Sequence, residues 1–384
     1  MAKKKSSGQK DPSKENIGRS STQDQIKELE ERIAKTKYNK KTQHAIGLYK
    51  AKLAQLKNKQ EARKSSGVGK SDHGWAVKKS GDSTVVLLGF PSVGKSSLLN
   101  VMTNAKSEVG AYAFTTLTCI PGDLEYKGAK IQILDVPGIV QGAAAGTGRG
   151  KEVLQVIRNA DLIVLLLDVF HPEHLPIIQK EIIDTYVRVN QKRPDVRIKK
   201  TIRGGIRIGS TVPLKDLSNE TITAILKEFK VANADVLIRT QIDADQFIDA
   251  VEGNRVYIPA VTVVNKIDMV DDAYLEKVKK KARPDICVST ETKEGIEDLK
   301  ELIYQKLELM PIYCKEAGKK ADLDVPLILR RGDTIEEMCR KLHKDFVSKF
   351  RFARVWGKSA KFEGQKLSLK HALAEGDIVE LHIR

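Results

Sequence analysis

Lys95 and Ser96 follow Gly89 and Gly94 in the stretch GFPSVGKSSLLN, and the spacing G-x-x-x-x-G-K-S is one that holds phosphates. In such a turn successive backbone N–H groups and a helix N-terminus converge on an anion, and glycine lets the chain wrap that closely. The expected cradle runs from Gly89 through Pro91, Ser92 and Val93 to Gly94, then on through Lys95, Ser96 and Ser97. Lys95 would reach the β- and γ-phosphates, and Ser96 would place its hydroxyl on Mg²⁺. That chemistry needs a strand before the loop and a helix after it. Residues 83–90 are rich in β-branched side chains and leucine and read as a buried strand. Residues 95–103, with Leu98, Leu99 and Met102, read as the helix.

Four further stretches bear on the base and on the third phosphate. Asn265-Lys266-Ile267-Asp268 ends an apolar run. A carboxylate at Asp268 can accept from both guanine N1–H and the 2-amino group, neither of which adenine offers. A site built on such a pair leaves polar groups unpaired when the wrong base enters, which can discriminate by about 10⁴-fold. Lys266 would cover the base with its stem, and Asn265 would brace the loop. Ser289-Thr290-Glu291 follows the next strand, where a backbone N–H can donate to guanine O6. In Asp135-Val136-Pro137-Gly138, Asp135 would hold Mg²⁺ through water and the Gly138 N–H would sense the γ-phosphate. Thr116, in Phe114-Thr115-Thr116, would complete the metal shell only when a third phosphate is present. Lys95, Thr116 and Gly138 form the expected catalytic set; Ser96, Thr116 and Asp135 form the metal set. Each short motif is common alone. In this order, together, they imply a switch that binds GTP or GDP with Mg²⁺.

The elements that must position these residues alternate as in a doubly wound α/β sheet. Strands are expected at 83–90, 131–136, 162–169, 261–265 and 286–289, and a helix at 294–309 carries Ile296, Leu299, Ile303 and Leu307 on one face. The span between the third and fourth strands is too long for one crossover. Residues 172–250 therefore read as an inserted subdomain, with the basic run KRPDVRIKKTIRGGIRIG and a helix in NETITAILKEF. The GTPase region is then 81–171 with 251–315. Residues 1–22 read as a disordered basic tail, and 23–80 as a basic helical hairpin with Ile26, Leu29 and Ile33 facing Ile46, Tyr49, Leu53 and Leu56. Residues 316–384 suggest a small α+β roll, in which Thr334 and Glu337 make a capping box.

The 384 residues carry a net charge of +17, unevenly placed. Residues 1–80 hold 21 Lys+Arg against 8 Asp+Glu, residues 81–322 hold 33 of each, and residues 323–384 hold 13 against 9. A neutral centre with basic ends fits nucleic-acid-facing appendages, or else well-solvated lysine-rich helices. The apolar run Leu162–Leu167 is far short of the roughly 20 residues a bilayer needs, and MAKKKSSGQKDPSKEN lacks the apolar segment of a secretory signal. Cys119, Cys287, Cys314 and Cys339 have neither metal nor disulfide spacing, as expected of reduced thiols in a cytoplasmic protein with no membrane partner.

The chain resembles the Obg-like GTPases, specifically their developmentally regulated GTP-binding branch. The stretches that carry this are GFPSVGKSSLLN, YAFTTLTCIPG, DVPGIVQGAAAGTGRG, GGIRIGSTVPL, VLIR and EGNRVYIPAVTVVNKID. The end, PLILRRGDTIEEMCRKLH with FARVWG and GDIVELHI, is similar to that family's TGS domain, which implies a β-grasp-like fold for the roll. The resemblance implies a cytoplasmic GTPase associated with ribosomes, ribosomal RNA and translation, often acting with a regulatory partner protein. It also implies a helix-turn-helix-like N-terminus and a helical/β insertion.

Two positions bear on turnover. Ras-like GTPases follow D-x-x-G with a glutamine that orients the attacking water; here that residue is Ile139, so intrinsic hydrolysis should be slow. Gln141, a partner protein or a monovalent cation could place the water. Some potassium-activated relatives carry asparagine where this chain has Ser92, so K⁺ is a candidate cofactor rather than an implied one. The Gly-rich GAAAGTGRG should be a mobile switch segment. An RNA-binding module that keeps GTP as a structural cofactor, or a small-molecule phosphotransferase, would use the same phosphate loop. A γ-phosphate sensor argues against the latter.

Overall fold

The computed structural model describes residues 22–37, 39, 42–65, 81–103, 120–136 and 156–383. They fall into two compact units, one made of residues 73–192 and 256–384, the other of 1–72 and 193–255.

The first unit is built on a six-stranded sheet in the order Ile286–Cys287, Ala260–Asn265, Leu162–Asp168, Ser83–Leu88, Ala129–Asp135, Ile120–Tyr126. All pairings are parallel except the last. Every residue of Ser83–Leu88, Leu162–Asp168 and Ala260–Asn265 is buried. These are the continuous apolar runs that a parallel sheet covered on both faces demands. Alternation then divides the core in two. Val86 and Leu88 pack with Ile178 and Ile182 of helix His174–Asp184, while Val85 and Leu87 pack with Leu98 and Leu99 of helix Lys95–Met102 and with Leu299 and Ile303 of helix Ile296–Lys306. Helix His174–Asp184 thus belongs to this core and not to an insertion opening at residue 172. The strand Ile120–Tyr126 has no counterpart among the strands expected from sequence. It pairs with Ala129–Asp135 across a turn in which Lys127 and Gly128 both take positive φ, as a tight hairpin requires.

A second sheet in this unit orders Leu327–Arg330, Leu309–Cys314, Ile378–Ile383, Phe350–Trp356 and Gln365–Leu367. Helix Ile335–Leu342 lies in its core through Ile335, Met338 and Cys339, and the Thr334/Glu337 capping box is formed. Against an expected boundary at residue 315, Leu309–Cys314 pairs with both Leu327–Arg330 and Ile378–Ile383, and helix 296–306 stops short of it.

In the second unit, strands Val196–Lys200, Ala234–Ile238 and Ile206–Ser210 pack under helices Asn219–Glu228 and Ala244–Glu252. The hairpin helices Thr22–Lys35 and Gln43–Ser65 are part of the same body: Ala51 is fully buried in its core, and Lys50 pairs with Asp245 at 2.6 Å. Among the described residues no helix is long and apolar enough to cross a membrane. Cys287, Cys314 and Cys339 are unbridged, and burial lifts their thiols above the ordinary range, Cys339 to about 11. Cys119 lies outside the described residues, as do the tail 1–21, the linker 66–80, Thr116 with Phe114, and Gly138 with Ile139, Gln141 and the Gly-rich stretch.

Candidate functional site

The loop from Gly89 to Gly94 leaves the carboxyl end of the central strand and enters helix Lys95–Met102. Gly94 sits at φ +94, and a Cβ there would stand 2.4 Å from Asn265 Nδ2. Only glycine satisfies both the backbone angle and that approach. Pro91 and Ser92 are exposed, Val93 is buried as the loop's anchor, and Ser96 and Ser97 stand exposed at the helix start. Lys95 Nζ donates to the carbonyls of Gly89 at 3.2 Å and Phe90 at 3.0 Å. An ammonium has three donors, so one remains for an anion. Burial lowers the Lys95 pKa, with the Asp135 carboxylate opposing the shift.

Ser96 Oγ donates to Asp135 Oδ2 at 2.7 Å. The other oxygen, Asp135 Oδ1, is buried without a hydrogen-bond partner among the described residues. A hydroxyl and an unsatisfied carboxylate oxygen beside a phosphate cradle are hard oxygen donors of the kind that suits Mg²⁺, which keeps several waters and prefers few protein ligands. The residues present therefore fit the ion.

Asn265 is fully buried and ties three segments together. Its Nδ2 donates to the Val93 carbonyl at 2.9 Å and to Thr290 Oγ1 at 3.4 Å, and its Oδ1 accepts from the Thr290 N–H at 3.2 Å. Asp268 is exposed on the short 3-10 turn Ile267–Met269, and Ser289 Oγ, itself fully buried, donates to Asp268 Oδ1 at 2.5 Å. Ser289 Oγ in turn accepts from the Thr292 N–H at 3.1 Å. The carboxylate is thereby aimed, and its second oxygen has no hydrogen-bond partner among the described residues. Lys266, at φ +67, sends its Nζ to the Ser92 carbonyl at 2.8 Å and to Asp168 Oδ2 at 2.7 Å.

The fold thus brings Gly89 to Ser97, Asp135, Asn265, Lys266, Asp268, Ser289 and Thr290 to one end of one sheet. Two residues missing from the sequence expectations join them. Asp168 is directly in register with Asn265 on the neighbouring strand and holds Lys266; Thr292 holds Ser289. An acid closing the apolar run LIVLLLD was the available signal for the first, since Asp135 closes its own strand in the same way.

A phosphate loop after strand Ser83–Leu88, with the Asp268 carboxylate following the strand two places away in the sheet, defines a P-loop GTPase. The profile described as "50S ribosome-binding GTPase" matches residues 84–200, that for the "C-terminal region of MMR_HSR1 domain" matches 203–309, and the TGS domain matches 310–383. An uncharacterized GTP-binding protein of Methanocaldococcus jannaschii is 54% identical over 94% of this chain and 93% of its own. Human developmentally-regulated GTP-binding protein 2 is 41% identical over 93% of this chain and 98% of its own, and Arabidopsis thaliana developmentally-regulated G-protein 3 is 43% identical over 93% and 97%. The chain belongs to the developmentally regulated GTP-binding protein family, GTP-binding GTPases of the Obg-like type that carry a C-terminal TGS domain.

Proposed function

We propose that this GTPase is a magnesium-dependent switch of the cytoplasm that works on ribosomes, engaging ribosomal RNA or protein through its basic ends and acting with a regulatory partner protein. The observation that carries the nucleotide part is the Asn265 network, which joins the phosphate loop at Val93 to the base loop at Thr290. It holds the two ends of one ligand's site in fixed register, beside the aimed carboxylate of Asp268.

In this reading the loop N–H groups from Ser92 to Ser97 and the Lys95 ammonium bind the phosphates, and Asp268 reads guanine. Ser289 positions Asp268, Thr290 and Lys266 lock the base loop to the phosphate loop, and Ser96 and Asp135 hold Mg²⁺. An ion bound there would neutralise phosphate charge. Thr116 and Gly138 are assigned to the γ-phosphate on sequence alone. Ile139 cannot orient water, so turnover is slow until a partner, the ribosome or K⁺ completes the site. The match to a family of 50S ribosome-binding GTPases and the surplus of 13 positive charges in residues 1–80 support the ribosomal part.

The test is phosphate release from GTP by the purified chain, with and without ribosomes and with K⁺ or Na⁺. A low rate that rises with ribosomes is expected. Release at background under every condition would leave the alternative, an RNA-binding protein that keeps GTP as a structural cofactor. Reversing the exposed hairpin charges Lys27, Lys52 and Lys59 to glutamate should weaken co-sedimentation with ribosomes and flatten its salt dependence. That test spares Ala51 and the hairpin's packing, which truncation would destroy.

A further inference from the structure

The loop that follows strand Leu162–Asp168 carries chemistry that the GTP reading does not use. Its residues His171, Glu173 and His174 place one imidazole nitrogen each and one carboxylate oxygen within 4.8 Å of one another. The two imidazoles are stacked, with centroids 5.0 Å apart and planes inclined by 20°. His171 Nδ1 meets Glu173 Oε1 at 3.0 Å. His174 Nδ1 is buried and has no hydrogen-bond partner among the described residues, an anomaly for a polar atom in the interior.

We propose that His171, Glu173 and His174 form a binding site for a zinc-like divalent transition-metal ion, with the remaining coordination position open to water. Two imidazoles and a carboxylate are the donor set of many three-ligand zinc sites. Bonds of about 2.0–2.1 Å in a tetrahedron put ligand atoms roughly 3.4 Å apart. Rotation of the exposed His171 ring out of its stack on His174, with the exposed Glu173 following, would aim both imidazole lone pairs at one ion and close the present spacing to that value. Imidazole ligands select zinc, copper or nickel over Mg²⁺, which prefers oxygen. The site is therefore chemically distinct from the Ser96/Asp135 pair.

Two features tune it. Pro172, buried between the ligands, stiffens the short loop that bears them. The His174 ring is fixed by stacking on Phe90 at a centroid distance of 3.8 Å, which places the site against the phosphate loop. Opposing these, Lys281 Nζ lies 3.4 Å from Glu173 Oε2, and His174 opens a helix whose N-terminus repels cations. A three-ligand site with such neighbours is weaker than a closed structural one.

The test uses the tag-free full chain stripped with a chelator, titrated with Zn²⁺ by calorimetry and with Co²⁺ by visible absorption, Mg²⁺ serving as the control. The expected result is one equivalent of Zn²⁺ that displaces Co²⁺ from a low-symmetry, intensely absorbing site, with no competition from Mg²⁺. His171→Ala, an exposed change with no bearing on folding, and His174→Ala should each weaken Zn²⁺ binding by at least about tenfold. Lys281→Ala should tighten it, because the competing ammonium is gone. Cys287→Ser and Cys314→Ser should leave it unchanged. No stoichiometric Zn²⁺ uptake, or uptake that survives His171→Ala at full affinity, would overturn the assignment.

Discussion

At the amino end of the six-stranded sheet, Asp82 and Asp161 stand just before Ser83–Leu88 and Leu162–Asp168; at the carboxyl end stand Asp135 and Asp268. The same side chain is used in opposite ways. Asp161 accepts from the Thr84 N–H at 2.9 Å through one oxygen and from Arg330 of the TGS domain at 2.7 Å through the other. Asp82 likewise accepts from the Lys130 N–H at 2.9 Å and from Lys341 at 2.7 Å. All four oxygens are matched, so these carboxylates fasten the second sheet to the first. At the other end, among the described residues, Asp135 keeps one buried oxygen unmatched and Asp268 is gripped by Ser289 through one oxygen. Polar groups satisfied within the chain make a joint. Polar groups held in place but left one bond short make a binding site.

The contrast breaks most visibly at Asp268. Asp268→Asn should lower the preference for GTP over xanthosine triphosphate by up to about 10⁴-fold, because the amide now pairs with a 2-oxo group. The melting temperature should hold, since the exposed side chain carries no packing. Competition titration of the two nucleotides checks it. If the Asp268→Asn variant still prefers GTP by the wild-type ratio, the carboxylate does not read the base. Next in size, Lys95→Ala should weaken GTP by roughly 30–150-fold, the value of one charge-assisted hydrogen bond of about 2–3 kcal/mol. Calorimetry that returns wild-type affinity would remove Lys95 from the phosphates.

At the joint the signs reverse. Arg330→Ala removes the cation from an Asp161 carboxylate whose side chain is only 9% exposed, and should cost about 1–2 kcal/mol of stability while leaving GTP affinity untouched. Lys341→Ala should do the same more gently, because Asp82 is more open to water at 17%. Thermal unfolding in parallel with nucleotide titration separates the two ends. A seam variant that lost nucleotide affinity with its fold intact would mean the ends communicate.

How much of this was legible follows from where the information lies. The phosphate loop, Asp135 and Asn265 to Asp268 are local motifs at the ends of unmistakable apolar runs, and the structure places them together. The strand Ile120–Tyr126 was hidden because IPGDLEY mixes proline, glycine and acid. Gly122 is there because a Cβ would sit 2.7 Å from Leu99 and from Thr103 of the phosphate-loop helix, a contact no local pattern encodes. The union of the hairpin with residues 193–255 depends on Ala51 and Lys50, which read locally as an ordinary small residue and a solvated charge. Asp82 and Asp161 were likewise mute, and the acid closing LIVLLLD signalled the place of Asp168 but not its partner. An isolated acid at a strand end is a turn former until its partner, more than 90 residues away, is known.

The smallest expected effect concerns Lys95, a cation at the nucleotide end that burial disfavours. A lysine whose pKa is lowered in the folded state costs stability while it is charged. That cost is present at neutral pH and fades as pH rises through the lowered value. Removing the charge of Lys95 should therefore leave the melting temperature unchanged or slightly higher, the reverse of Arg330→Ala and Lys341→Ala at the joint. GTP affinity should move the other way, falling with pH from below the ordinary lysine value of 10.5 as the ammonium that grips the phosphates loses its proton. Guanine N1 also deprotonates in that range, so the Lys95→Met profile supplies the baseline and the difference between the two curves is the lysine's own. Superimposable curves would show that Lys95 stays with the Gly89 and Phe90 carbonyls in the bound state, and the nucleotide end would then be satisfied within the chain, as the joint is.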